Sequence, residues 1–290
     1  MIQDIAPHQY DVAYQPQKPK ATDALLIYHS GKILARFEND EILYPTVEEI
    51  HNVFPGVVAK AKYLFRIDER DYYELRKPII EAFDEWKYED ILVLRDAKPM
   101  WKAFAGITGY QIHNWYSDNQ FCGRCASELE PLDGERALHC PTCGKTIYPT
   151  IAPSVIVAIT HGDEILMTRY ASSHSSYKNY ALVAGYAEIG ETLEGTVHRE
   201  VMEEVGLKVK NLRYYKSQPW AFSGALLVGY FCEVDGDTTV TLEEKELCEA
   251  TWFKRNDMPV KNSHIISLTN EMMEYFRVYG FPKPRDGENE

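Results

Sequence analysis

The chain has 290 residues, 45% of them apolar, and a formal net charge of −13. That is enough apolar material for two compact domains and a small insert, while the negative balance opposes nonspecific attraction to DNA or RNA. No stretch approaches the length of a membrane span and no charged-plus-apolar leader opens the chain, so a soluble cytoplasmic protein without membrane contacts is expected.

From the N-terminus, residues 22–95 alternate strand-like runs. Residues 24–28 and 32–37 flank Ser30-Gly31, which predicts a β-hairpin within a separate α+β domain. Nothing in residues 1–95 forms a catalytic constellation, and structural support is the expectation there. Residues 98–116 read as a helix with Met100, Trp101, Phe104 and Trp115 turned inward, closing a first region at residues 1–118.

A ribbon is expected next, over residues 119–148. Cys122-Gly-Arg-Cys125 is followed after fourteen residues by Cys140-Pro-Thr-Cys143, two knuckles at the spacing of a tetrahedral zinc ribbon. Four thiolates close the shell of a structural Zn²⁺ and leave no position for water or substrate. A pair of disulfides is the alternative; the missing secretory leader and the unpaired pattern of the other thiols weigh against it. Cys232, in an apolar strand-like run, and Cys248, beside acidic residues, read as buried or inert thiols. His113 and His139 read as surface or packing residues.

Residues 149–281 form the third region. Residues 155–159, 165–167 and 226–231 are strand-like, and a helix over 263–279 ends at Gly280, with residues 282–290 expected to be a mobile tail. Between them, Thr192 as N-cap, Glu194 in the first turn and Gly206 at the C-terminus mark a helix over Leu193–Val205. Leu193, Val197, Val201 and Val205 form its apolar stripe, with Glu200, Glu203 and Glu204 along the edge. Three carboxylates in one turn repel unless a cation screens them, and hard oxygen ligands suit Mg²⁺ or Mn²⁺. Arg199, one turn before Glu203, can pair with it, which makes Glu203 an orienting residue or a base. An ordinary solvated acidic helix is the alternative for the acids taken alone. In the run 243–247, Glu243 and Glu244 read as solvated charges, and Glu246 is a further acid of interest.

The flanks of the helix decide between these readings. Gly185, five residues, Glu191, seven residues, then Arg199-Glu200-x-x-Glu203-Glu204-x-Gly206-Leu207 resembles without a gap the signature of the Nudix hydrolases. The ribbon before it, with Phe121-Cys122-Gly123-Arg124-Cys125, Tyr148-Pro149-x-Ile151-Ala152-Pro153 and Ala184-Gly185-Tyr186, is similar to the bacterial NADH pyrophosphatases within that superfamily. The resemblance covers most of the chain after about residue 110. It implies an α+β chain whose Nudix α/β/α sandwich with a mixed sheet follows a zinc ribbon and an N-terminal α+β domain. It also implies that Glu200, Glu204, Glu246 and the Ala184 carbonyl bind catalytic Mg²⁺ or Mn²⁺. Arg199 and Glu203 are expected to complete the catalytic set. Water activated by the metal would split the diphosphate of NADH or NAD⁺ into nicotinamide mononucleotide and AMP.

A dinucleotide calls for aromatic stacking faces, and Tyr148, Tyr186, Trp220 and Phe222 either supply them or pack as core. By resemblance Tyr186 and Trp220 belong to the base pocket, Gln218 offers an amide and Ala250 lines the far side. The family's Ser-Gln-Pro-Trp-Pro-Phe-Pro-x-Ser stretch is here Ser217-Gln218-Pro219-Trp220-Ala221-Phe222-Ser223-Gly224-Ala225. Ala221 and Ser223 loosen that loop and Ala225 removes a hydroxyl. The loss leaves room for ADP-ribose or a dinucleoside polyphosphate as alternative substrate; a separate alternative is a noncatalytic or RNA-directed protein whose ribbon or N-terminal domain grips a partner while the Nudix fold reads a nucleotide, an NAD cap on RNA 5′ ends included. A homodimer is a further expectation from the resemblance.

Overall fold

The computed structural model describes residues 1–56, 58–75, 81–171, 178–259 and 266–283. The chain divides into two compact units: Ile2–Thr150 with Ala221–Ser223, and Ile151–Trp220 with Gly224–Glu290 and Met1. No helix among the described residues is long and apolar enough to cross a membrane.

In the first unit, Tyr10–Asp11, Lys62–Ile67, Arg70–Glu74 and Ala24–Leu26 form one sheet, and Lys32–Glu38 pairs with Tyr28–His29, Glu41–Leu43 and Lys87–Asp90 in another. The expected hairpin is present: Tyr28 faces Ile33 and His29 faces Lys32, with Ser30 and Gly31 both at positive φ, 49° and 75°. Two such residues in succession give the turn whose twist matches that of the flanking strands.

The helix expected over 98–116 runs Met100–Asp118. Phe104 and Trp115 are buried as expected, but Met100 and Trp101 are only half-buried, and the helix meets its neighbours through smaller residues. A Cβ on Gly106 would lie 2.2 Å from the Tyr44 hydroxyl oxygen, and one on Gly109 would lie 2.5 Å from that of Tyr28. Reading inward positions from side-chain size alone misses such a contact, because the close approach depends on having no side chain.

The second unit is a mixed sheet with a helix on each face. Its order is Val209–Trp220, Ala225–Val234, Ala152–His161, Glu164–Tyr170, Leu247–Lys254, with Val183–Tyr186 also pairing with Ala152–His161. Ala152–His161 and Ala225–Val234 are parallel and the other pairs antiparallel. Alternation sorts the core: Val155, Val157 and Ile159 pack with Val197, Val201 and Val205 of the Leu193–Val205 helix, while Ile156 and Ala158 pack with Leu268, Met272 and Phe276 of the Leu268–Tyr279 helix. Each buried valine of the first helix contributes roughly 1.5–3 kcal/mol, which seats that helix firmly on the sheet. This is the α/β/α sandwich. The closing helix, expected over 263–279, begins at Leu268 with Ser267 as N-cap. Residues 263–265, and 284–290 of the expected tail, lie outside the described residues.

The strand Val209–Trp220 was not an expected element, and it changes the reading of residues 217–225 as a loop. Gln218 faces Leu227 and Trp220 faces Ala225, so the turn is confined to residues 221–224, with Gly224 at φ 73°.

Candidate active site

The acidic helix is capped as its sequence dictates. Thr192 Oγ1 accepts the Gly195 N–H at 3.0 Å, and Gly206 takes the left-handed conformation at φ 69° and closes onto the Met202 carbonyl. Two carbonyls of its last turn go to a neighbouring segment: Thr241 N–H donates to Val205 O at 2.9 Å and Glu243 N–H to Glu204 O at 3.0 Å. Glu246 follows three residues later.

On this helix the carboxylates divide. Glu200 and Glu204 belong to the buried face, whereas the Glu203 side chain is 60% exposed, further out than the stripe edge expected for it. Glu200 lies against the backbone of Gly185, where any Cβ would collide with it. The Gly185 carbonyl in turn accepts the Ser154 hydroxyl at 2.9 Å.

Arg199 joins the acids. Its Nε and Nη2 grip both oxygens of Glu191 at 2.8 and 2.9 Å, its Nη1 reaches Glu200 at 2.6 Å and Glu203 at 3.0 Å, and Nη2 also donates to the Tyr186 carbonyl at 2.9 Å. The pairing with Glu203 is the one expected from helix geometry. The fork on Glu191 was not read from the sequence, although the fixed place of Glu191 in the signature was the signal for it. Glu191 also accepts from the Thr196 hydroxyl and the Glu188 N–H, so Arg199 and these donors hold its carboxyl down at about 2.

The buried acids shift the other way. Desolvation raises Glu200 despite its contact with Arg199. Glu204 is pushed up to about 8, first by burial and then by the charge of Glu200, with the Ala184 N–H hydrogen bond opposing and Glu246 and Glu203 adding to the rise. Glu204 Oε2 is buried and has no hydrogen-bond partner among the described residues. Closely set carboxylates that share one field, one of them with an orphaned buried oxygen, are the donor set a hard divalent cation satisfies. No three carboxylates among the described residues have oxygens all within 4.8 Å of one another, a spacing found only in the cysteine cluster.

The expected substrate residues fall in several settings. Tyr186 is half exposed, and Trp220 is part-buried against the core of the closing helix. Gln218 is fully buried, and its amide clamps the start of that helix: Nε2 donates to Ile266 O at 2.9 Å and Oε1 accepts the Leu268 N–H at 2.6 Å. Pro219 is exposed on the strand, Ala225 is buried, and Ala250 faces Thr168 across the sheet. Ala221, Phe222 and Ser223 group with the first unit, where the Arg95 guanidinium lies 5.2 Å over the Phe222 ring. Tyr148, also in that unit, is exposed, and the charge of Glu135, together with a hydrogen bond to it, raises its hydroxyl above the usual range.

The four ribbon cysteines converge as expected. Their sulfurs all lie within 4.8 Å of one another, with Cys122–Cys143 at 3.6 Å and Cys125–Cys140 at 3.4 Å. A disulfide needs about 2.05 Å, while sulfurs around a tetrahedral zinc are separated by roughly 3.8 Å. The knuckles repeat one geometry. Cys122 N–H donates to Ser127 O and Cys140 N–H to Lys145 O, while Ala126 and Gly144, both at positive φ, return N–H bonds to the two cysteine carbonyls. His113 pairs instead with Glu74 at 3.1 Å, and His139 stands 3.9 Å from Glu130. Cys232 is buried and its thiol is raised by desolvation, while Cys248 is exposed and its thiol donates to the Tyr170 carbonyl at 3.4 Å.

Comparison with known proteins adds to this geometry. Residues 150–272 match the NUDIX domain family and residues 117–148 match the NADH pyrophosphatase zinc ribbon domain. Proteins named NAD-capped RNA hydrolase NudC from Escherichia coli, Shigella boydii and Escherichia fergusonii are each 43% identical over 155 residues, 52% of this chain. The match spans 58% of the length of each of those relatives. Among solved structures, a NUDIX hydrolase from Nitrosomonas europaea aligns with a TM-score of 0.47 at 21% identity, covering 56% of this chain and 94% of that one.

Proposed function

Because this is a Nudix hydrolase chain with an NADH pyrophosphatase zinc ribbon, we propose that it hydrolyses the diphosphate bond of NADH or NAD⁺, giving nicotinamide mononucleotide and AMP. The observation that carries this reading is the buried Glu204 Oε2, without a hydrogen-bond partner among the described residues, set beside Glu200 on one helix face and under the field of Glu246. Glu200, Glu204, Glu246 and the Ala184 carbonyl would hold the Mg²⁺ or Mn²⁺. That cation supplies charge neutralisation for the diphosphate and activation of water.

The chain's own residues do the rest. Arg199 fixes the rotamers of Glu200 and Glu203 through one nitrogen and is itself held by the Glu191 fork. Glu203, exposed and held by Arg199, would accept or steer the proton of the attacking water. Gly185 leaves the space in which Glu200 sits. Tyr186 and Trp220 would offer ring faces to a base, with Pro219, Gly224 and Ala225 as further substrate contacts and Ala250 on the far side. Gln218 serves through its clamp on the closing helix.

A second substrate, NAD-capped RNA, is favoured by the activity named for the relatives at 43% identity. The net charge of −13 restricts this version to recognition of the cap, with little purchase on the RNA body. A homodimer in a cytoplasm reducing enough to keep four zinc thiolates belongs to the same proposal. The test supplies purified full chain with Mg²⁺ or Mn²⁺ and offers NADH, NAD⁺, ADP-ribose, a dinucleoside polyphosphate and NAD-capped RNA at matched concentrations. Release of nicotinamide mononucleotide from the dinucleotides is the expected outcome. Hydrolysis of none of these compounds would refute it.

A further inference from the structure

The strand after Glu246 carries a fault in its pairing. Along Leu247–Lys254, Glu249 lies opposite Arg169 but Leu247 lies opposite Tyr170, so Cys248 is an extra residue in the ladder. Regular alternation would put Leu247 on the same face as Phe253. Phe253 does pack toward the closing helix, yet Leu247 is buried on the opposite face, beneath the acidic helix and beside Ala250 and Trp252. The bulge therefore turns the chain before it toward Glu200 and Glu204. Glu246 comes next: its carbonyl accepts the Ala171 N–H at 2.8 Å, and its charge acts on both of those acids.

A polar cluster stands on the last regular rung before the fault. Arg169 Nη1 lies 3.3 Å from Glu249 Oε2, and the guanidinium sits 4.0 Å over the Tyr180 ring. The Tyr180 hydroxyl donates to Glu249 Oε1 at 2.7 Å and the Thr251 hydroxyl donates to the same oxygen at 3.0 Å. A slip of one residue would erase the bulge and reverse the face of Leu247, so whatever pins this rung selects the register. We propose that Arg169 and Glu249 are positioning residues, which lock the register beside the Cys248 bulge and thereby hold Glu246 as the third carboxylate of the divalent-cation site. The inference rests on the reading of Glu246 as a cation ligand.

The test uses the full-length protein and four variants, Arg169→Gln, Arg169→Lys, Glu249→Gln and Glu246→Gln. Mn²⁺ binding is read directly by electron paramagnetic resonance of the free ion, beside Tm and the Mn²⁺ dependence of dinucleotide hydrolysis. Loss of a residue that supports a ligand typically costs 10–100-fold in metal affinity, so Arg169→Gln and Glu249→Gln are expected to weaken Mn²⁺ binding about tenfold, with the same displacement in the activation curve. Arg169→Lys keeps the cation but not the planar fork and falls between them and the parent; it keeps the test readable if Arg169→Gln does not fold. A lowered Tm with unchanged Mn²⁺ binding, while Glu246→Gln weakens binding, overturns the register lock alone. Unchanged binding in Glu246→Gln itself overturns the ligand reading and this inference with it.

Discussion

The Glu200 carboxyl carbon occupies the space beside Gly185 so closely that a Cβ on residue 185 would lie 2.0 Å from it. Glycine there is a condition for the acid to reach its place. Gly185→Ala is expected to displace Glu200 and lower turnover roughly 100-fold, as an ångström-scale misplacement does. Steady-state rates beside a thermal melt check this; a full rate with an ordinary melt would remove Glu200 from the assigned role.

Arg199 binds Glu191, Glu200, Glu203 and the Tyr186 carbonyl at once, which no lysine geometry reproduces. Arg199→Lys should therefore lose most of the turnover while keeping the charge. The Glu191 carboxyl sits at about 2 in the fold against 4.5 ordinarily, so its pairing stabilises above about pH 4.5 and that contribution fades as pH falls toward 2. Acid unfolding followed by circular dichroism should begin at higher pH in Arg199→Ala than in the parent. Superimposable acid curves would contradict this.

Glu204 gives the opposite sign. Its carboxyl at about 8 means that the folded protein holds a proton the unfolded chain has lost, so stability declines as pH rises from about 4.5 to 8. Glu204→Gln removes that penalty, on the order of a few kcal/mol, from the metal-free protein near pH 8, and abolishes turnover. Denaturant titrations at pH 5 and pH 8.5 with a chelator present read the first effect. A variant no more stable than the parent at pH 8.5 would count against the desolvated placement.

The cysteine cluster predicts one zinc per chain. Cys140→Ser should drop that stoichiometry and open residues 117–148 to proteolysis, since the small sheet there has little core beyond Trp115, Tyr116, Leu129 and Leu138 with two of the cysteines. Metal analysis and limited proteolysis with mass mapping are the readouts. A ribbon equally resistant without zinc would show that its packing suffices.

What could be read from the chain alone was what is encoded locally. Thr192, Gly206 and the valine stripe fix the acidic helix within thirteen residues, and the cysteine spacing fixes the ribbon, because caps and knuckles are short-range chemistry. The missed features depend on partners distant in sequence. The buried amide of Gln218 meets a helix start fifty residues away, Gly106 meets Tyr44, and the bulge at Cys248 exists only relative to Arg169 and Tyr170. Period-two reasoning places Leu247 on the wrong face because an extra residue resets the count. An exposed polar position in Val209–Trp220 likewise says little about whether a neighbouring strand will pair with it.

The last turn of the acidic helix lends the carbonyls of Glu204 and Val205 to the N–H groups of Glu243 and Thr241. The connection from the strand ending at Val234 is thereby moored before it delivers Glu246. Residues gained or lost around Gly236, where the backbone turns at φ 100°, are slack taken up ahead of that mooring. Such length changes can accumulate in the connection without altering how the three acids are spaced, whereas a single insertion between Glu243 and Glu246 cannot be absorbed in this way.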